Sequence, residues 1–290
     1  PEDFMLTPYF TVAMPPLMDV MTALLLSFTI GLGLSYISGN TLREAFNDFQ
    51  KIITILIEAV IIPLLPLHIF GIFLNMTNSG QVAGVSGQVM SIITMFLKVI
   101  IVIFVLHVLL LLIQFTVAGS ISGRNPFRLL KNMLPAYATA LGTQSSAATI
   151  PVTLAQTVKN GVRETIAIFV VPLCATIHLS GSTMKITACA MAIMYMAGEP
   201  VTLAGMAGFI MMLGITMVAA PGVPGGAIMA ALGLLQSMLG FNETLQALMI
   251  ALYIAMDSFG TACNVTGDGA IAIVVDKIAG KQQTSPDITE

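Results

Sequence analysis

"GTQSSAATIP", residues 142–151, is small, hydroxylic and bounded by glycine and proline, in a chain whose 290 residues are 57% hydrophobic and 9% charged. Soluble domains carry roughly 25% charged residues. Apolar runs recur at 20–37, 52–74, 92–119, 165–177, 201–220, 227–239, 245–256 and 269–279. Several are long enough to cross, as helices, a hydrocarbon layer about 30 Å thick. The composition therefore predicts an all-α polytopic protein of the lipid bilayer, placed in a cell (inner or plasma) membrane. What 142–151 is doing there depends on which side its flanks lie.

The basic residues answer that. Arg43 and Lys51 precede the second apolar run, and Arg124, Arg128 and Lys131 follow the third. Lys159 and Arg163 precede the fourth, Lys277 and Lys281 close the last, and only Lys98 and Lys185 fall elsewhere. By the positive-inside rule the four groups are cytoplasmic. The connections at 76–88, 198–204 and 238–244 have no Lys or Arg and face outward, with the acidic N-terminal "PEDF". Residues 125–158 then begin and end inside, while 200–240 begin and end outside. Neither can be one simple span. Each is predicted to be a re-entrant helical hairpin, one from either side, with tips at 142–151 and at "AAPGVPGGA", 219–227. Such backbone is tolerated at membrane depth only inside protein or along a cavity. Kinks in ordinary helices are the alternative, and they would strand cations on both sides.

After each hairpin comes a span expected to be interrupted, at "IHLSGST" (177–183) and at "NVTGD" (264–268). Hairpin plus broken span, twice and inverted, is the pattern that places a secondary transporter's site at the midplane. The last span carries Asp257, Thr261, Asn264 and Asp268 at offsets of 4, 7 and 11. At 3.6 residues per turn these lie within about 60° of one another. An aspartate at mid-span costs about 2.5–3.5 kcal/mol on insertion scales, so this stripe should face a partner or a wet cavity. Carboxylate and amide oxygens suit hard cations.

Other classes find little support. The net charge is −3 and no basic cluster interleaves with aromatics, so no nucleic-acid partner is expected. Cys174, Cys189 and Cys263 lie in apolar segments without CxxC spacing, which argues against a disulfide framework or a zinc site. His68 and His107 sit singly in apolar helices and read as packing residues. "NMT" (75–77) and "NET" (242–244) are short chance matches to glycosylation acceptors. Residues 281–290 read as a disordered tail. The chain starts at Pro1 without methionine, so an upstream portion is expected.

"SSAATIPVT", "ATIHLSGST", "PGVPGGAIM" and "NVTGD", in this order, resemble the dicarboxylate/amino acid:cation symporters, the sodium:dicarboxylate family of glutamate transporter homologues. The resemblance covers nearly all of this chain and the C-terminal two-thirds of a family member. It implies a trimerising scaffold, here partial at 18–78 behind an outer segment 1–17, and a mobile, elevator-like transport domain at 86–280. That domain comprises a first hairpin (125–158), a broken span (163–197), a second hairpin (200–240) and a last span (243–280). A homotrimer is implied, with sodium as coupling ion, no organic cofactor and no enzymatic activity. Ser145 and Ser146, with Val223 and Gly226, would hold the α-carboxylate of an amino acid substrate. Asp257 and Thr261 would take its ammonium, with Asn264 and Ser182 alongside. Asp268, Asn264 and backbone near Cys174 and His178 would form one sodium site, and Thr176 with carbonyls around Val218 a second.

Departures from the family pattern bear on specificity. Acidic-substrate members carry an arginine three residues after the ammonium-binding aspartate; here that position is Gly260, and Gln144 stands where some relatives hold arginine. An acidic side chain would be desolvated without a partner. The substrate is therefore expected to be a neutral amino acid, with Gly260 leaving room for its side chain and Lys185 snorkelling away. Lys185 as a replacement charge is the alternative. "HLSG" stands where the family has asparagine, methionine, aspartate and glycine, which removes ligands of a third sodium site. Ala220 replaces a common sodium-site threonine, and one residue is missing between Gly225 and Gly226. His178 beside Asp268 makes proton coupling the second transport reading, for an amino acid or a dicarboxylate. An ion channel or a non-transporting relic are the readings of another class.

Overall fold

Helix formation follows the apolar runs. The computed structural model describes residues 20–56, 59–60, 63–64, 67, 70–71, 86–220, 222 and 224–282. Expectations for 1–17, His68, "NMT", Val223 and the tail after 282 lie outside the described residues. Among the described residues there is no strand, and the regular elements are α1 (Val20–Tyr36), α2 (Thr41–Leu56), α3 (Ser86–Ser122), α4 (Pro126–Thr143), α5 (Ser146–Lys159), α6 (Glu164–Ile177), α7 (Ser180–Ala197), α8 (Leu203–Met217), α9 (Gly226–Leu239), α10 (Glu243–Ala255) and α11 (Asp257–Gln282). Stretches long and apolar enough to cross a membrane are Phe96–Ser122, Glu164–Ala197 and Asp257–Gly280.

The chain divides into two compact units, 1–96 with 232–251 and 97–231 with 252–290. In the first, α1 is apolar along its length and α2 mixes charged with apolar side chains, including an exposed Lys51–Asp48 pair at 2.9 Å.

The second unit is built around α11. Small residues on its surface, Ala262, Cys263, Val265 and Ala270, meet Met133, Ala136 and Ala140 of α4 and Ala167, Val170 and Cys174 of α6 in one buried cluster. Small side chains let helices approach closely, which matters where lipid removes the hydrophobic drive for helix association. On α3, Ile103, His107, Leu111, Phe115 and Ala118 form the buried stripe, while Val102, Leu109 and Ile113 lie exposed on the opposite side. His107 is a buried packing residue, as expected, and its Nε2 lies 3.0 Å from Gly181 O.

Helices α4 and α5 fold back on each other. Asn125 caps α4 by accepting from Phe127 N at 3.0 Å and Arg128 N at 3.2 Å, with Pro126 at the first helical position. At the far end Gln144 adopts φ 52°, and Ser145 caps α5 by accepting from Ala148 N at 3.2 Å. The open ends are tied together. Asn132 Nδ2 donates to Asn160 Oδ1 at 2.8 Å, Asn160 Nδ2 to Leu129 O at 3.0 Å, and Arg124 to Asn160 O at 2.7 Å and Gly161 O at 3.1 Å. Next door, Arg163 Nε donates to Asp276 Oδ1 at 2.7 Å. Arg124 and Arg163 thus both stand where α5 gives way to α6.

Two helices are interrupted. The first interruption falls at His178 and Leu179, between α6 and α7, as the sequence predicted. The second is a correction: "NVTGD" lies inside continuous helix, and the break is at Met256. The glycines at 267 and 269 serve close approach instead. A Cβ on Gly267 would stand 2.6 Å from His178 Cε1, and one on Gly269 2.7 Å from Met133 Cε.

Candidate functional site

Four discontinuities of the backbone meet in the second unit. The α4–α5 tip reaches the segment after α8 through Ser145 Oγ, which donates to Gly222 O at 2.8 Å. Gly222 in turn sits against the end of α6; a Cβ there would stand 2.9 Å from Ala175 O. The α6–α7 break is held to α11 by Asn264, whose Oδ1 accepts from Gly181 N at 2.8 Å and Ser182 N at 3.2 Å and whose Nδ2 donates to Ser182 Oγ at 2.9 Å. Amide protons at the start of a helix have no intrahelical acceptor, so Asn264 supplies what α7 lacks. Thr261 Oγ1 reaches Gln144 O at 3.5 Å.

These residues enclose a tight polar pocket lined by Gln144, Ser146, Ser182, Asp257, Thr261 and Asn264, with Gly222, Leu179, Ala227 and Tyr253 completing the wall. Ser146, Ser182, Asp257, Thr261 and Asn264 are all buried. Gln144 is the one described non-glycine residue with positive φ. Such backbone costs about 1–2 kcal/mol for a side chain with a Cβ, and it concentrates at functional sites. Gly226 opens α9 and is buried, but the amide that reaches the carboxylate is that of Gly225, donating to Asp257 Oδ2 at 2.7 Å. Gly225 has φ +72°, a conformation glycine adopts without penalty.

Asp257 has a second partner that the sequence reading set aside. Lys185 Nζ lies 3.1 Å from Asp257 Oδ1, and its side chain is fully buried. The same ammonium donates to Met256 O at 3.3 Å and Tyr253 O at 3.4 Å and stands 3.3 Å from the centroid of the Tyr253 ring. Both carbonyls lie at the C-terminal end of α10, where a cation is favoured, while Asp257 opens α11, where an anion is favoured. This corrects two expectations. Lys185 does not snorkel, because its ammonium is neutralised where it lies. Gly260 does not leave room for a substrate side chain, because a Cβ there would stand 3.0 Å from Lys185 Nζ and 3.2 Å from its Cε.

The residues named for cations separate into two places. Asp268 is buried and accepts from His178 Nδ1 at 2.8 Å. Gln114 Nε2 approaches the other ring nitrogen at 3.4 Å and donates to Ser180 Oγ at 3.3 Å. Cys174 contributes its carbonyl to His178 N at 2.8 Å, at the end of α6. Thr176 Oγ1 donates to Leu173 O at 2.8 Å within α6, and Val218 follows the end of α8; no hydrogen bond joins these two. Gln114 was missed by the sequence reading. Its signal was position, two helical turns from His107 on a helix otherwise apolar there.

The family model for the sodium:dicarboxylate symporter family matches residues 1–278. The chain is 33% identical over 171 residues to excitatory amino acid transporter 3 of Mus musculus, covering 57% of this chain and 32% of that protein. It is 27% identical over 258 residues to the serine/threonine transporter SstT of Acinetobacter baumannii (strain AYE), covering 87% and 62%. Against excitatory amino acid transporter 1 of Rattus norvegicus it is 28% identical over 255 residues, covering 86% and 45%. The chain spans less than two thirds of the length of each of these relatives.

Proposed function

The chain belongs to the sodium:dicarboxylate symporter family, and from that premise we propose that it is a secondary active transporter carrying a neutral amino acid together with sodium. Membership makes it a multi-pass membrane protein of a transporter family, not an enzyme. The observation that carries the proposal is the Ser145–Gly222 contact closing a polar pocket that contains one carboxylate, Asp257. The substrate's carboxylate is received by the N-terminal end of α5 at Ser145 and Ser146, where free amides favour an anion. Its amino group goes to Asp257 and Thr261, beside Asn264 and Ser182. Val223 and Gly226 cover it. Having no guanidinium at 260 or 144 favours a neutral side chain, as does the likeness to a protein named for serine and threonine.

Sodium is assigned to Asp268 with Asn264 and the carbonyls near Cys174 and His178, and to Thr176 with the carbonyls around Val218. The larger architecture follows the same reading: a partial scaffold at 18–78 through which a homotrimer assembles, and an elevator-like transport domain at 86–280 with re-entrant hairpins at 125–158 and 200–240. In support, α5 has 14 residues, about 21 Å of helix against about 30 Å of hydrocarbon, and the open ends of α4 and α5 lie together.

Reconstituted in proteoliposomes, the protein should take up labelled serine, threonine or alanine only down a sodium gradient, with Asp257→Asn inactive. Aspartate uptake of equal rate, competing fully with serine, would contradict neutral specificity. The His178–Asp268 contact favours one second reading, proton coupling. Sodium-independent, pH-driven uptake that disappears in His178→Asn would select it.

A further inference from the structure

Lys185 has no part in the transport scheme above, yet its charge is fully buried and closely surrounded. Four partners surround its ammonium: Asp257 Oδ1 at 3.1 Å, Met256 O at 3.3 Å, Tyr253 O at 3.4 Å and the Tyr253 ring at 3.3 Å. An amino group offered by a substrate would want the same carboxylate. The other oxygen of Asp257 already accepts from Gly225 N at 2.7 Å. Both oxygens of the carboxylate are therefore engaged by the protein itself.

We infer that Lys185 is a tethered competitor for the substrate's amino group, and that the two ammonium groups are alternative partners of Asp257 Oδ1. This rests on the reading of Asp257 as the ammonium site and adds the device that sets its affinity. When substrate departs, Lys185 pairs with the carboxylate, so no charge is left bare. When substrate binds, Lys185 gives up one of four contacts and keeps two carbonyls and a ring face. Those three neutral acceptors hold a cation without demanding an acidic side chain from the substrate, which suits a neutral amino acid. Gly260 belongs to the same device, since any Cβ there would crowd the ammonium. Ser182, one helical turn before Lys185, caps the pocket side by receiving Asn264 Nδ2 at 2.9 Å. The pocket and the competitor are thus presented by one face of α7.

The sign of one substitution decides the matter. Removing a competing unit charge about 3 Å from the carboxylate should tighten binding of an amino-group ligand roughly tenfold or more. Equilibrium binding of serine to the purified protein is measured for the wild type, Lys185→Met and Lys185→Arg. Tighter binding by Lys185→Met, with Lys185→Arg close to wild type, is the expected result. Unchanged or weaker binding by Lys185→Met overturns the inference, and weaker binding of aspartate in particular would make Lys185 a grip for a second carboxylate. If neither wild type nor variant binds any neutral amino acid, the proposed function fails. The tether is then read separately, from the melting temperatures of the empty protein in a cycle of Lys185→Met, Asp257→Asn and the double variant. Strong non-additivity upholds the pair, and additive losses overturn it.

Discussion

Ser145 Oγ donates to Gly222 O at 2.8 Å, joining positions 77 residues apart in sequence. The hydroxyl that caps α5 also bridges to the opposing tip, so one atom serves local helix geometry and the closure of the pocket. Ser145→Ala removes both functions at once. The cap and the bridge are each worth about 1 kcal/mol. The melting temperature should fall, and substrate affinity should weaken by roughly fivefold to thirtyfold. Ser145→Gly keeps much of the cap preference but not the bridge. If the two variants bind substrate as the wild type does, the contact is not part of the closure.

Gln144 carries its φ of 52° at the turn between α4 and α5. Glycine at this position removes a penalty of about 1 kcal/mol. Gln144→Gly should therefore raise the melting temperature while weakening substrate binding, because the side chain lining the pocket is lost. A stabilised variant with full affinity would show that the strain serves the turn alone.

Gly260 and Lys185 should be coupled. A methyl group at 260 would stand 3.0 Å from Nζ, the far end of a flexible side chain, so the lysine can shift at the expense of its cage. Gly260→Ala is expected to destabilise the protein by about 1–3 kcal/mol, the usual range for overpacking. In a Lys185→Met background the same change should cost clearly less. Equal costs in both backgrounds would mean that residue 260 is limited by something other than the ammonium.

Part of this arrangement is legible in the sequence. That 125–158 is not one straight helix was readable from its flanking cations and its Gly- and Pro-bounded middle, and α4 and α5 do fold back on each other, with Asn160 tied to Leu129. The polar stripe from Asp257 to Asp268 is buried, as its insertion cost demanded. Other features were not legible, for physical reasons. The break at Met256 carries neither glycine nor proline; its only mark is Asp257, an acid at the start of a helix, which also had a functional reading. Without that break the two carbonyls that hold Lys185 are invisible, and a lysine in an apolar helix defaults to snorkelling. Conversely, the glycine of "NVTGD" suggested an interruption, whereas Gly267 and the following Gly269 admit His178 and Met133 to the surface of an intact helix.

Asn160 offers a test of the hairpin away from the pocket. It is buried, accepts from Asn132 at 2.8 Å and donates to Leu129 O at 3.0 Å. Asn160→Ala removes the partner of the buried Leu129 carbonyl and of the half-buried Asn132 amide, a loss of about 1–3 kcal/mol for a buried group left unpaired. The melting temperature should drop, while substrate affinity measured below the transition should stay within about twofold of wild type, since sites that share no partners act independently. A large loss of affinity would mean that the open end of the hairpin is coupled to its tip.

Asp268 provides the sharpest test of the cation assignment, because it is buried and lies outside the substrate pocket. Its carboxylate already receives His178 Nδ1 at 2.8 Å. A sodium ion bound there would add a second, stronger claim on the same group, since a hard cation prefers an anionic oxygen to a neutral donor. Asp268→Asn keeps the size and one acceptor oxygen but removes the charge. Sodium should stabilise the wild type against heating, in the manner of any ligand that binds only the folded state. In Asp268→Asn the stabilisation should shrink or require much more sodium, and lithium or choline should reproduce neither curve. His178→Leu separates the ion from its neighbour: it removes the competing donor, leaves the carboxylate and should preserve or improve the sodium response. A sodium response that survives Asp268→Asn unchanged would remove Asp268 from the cation site.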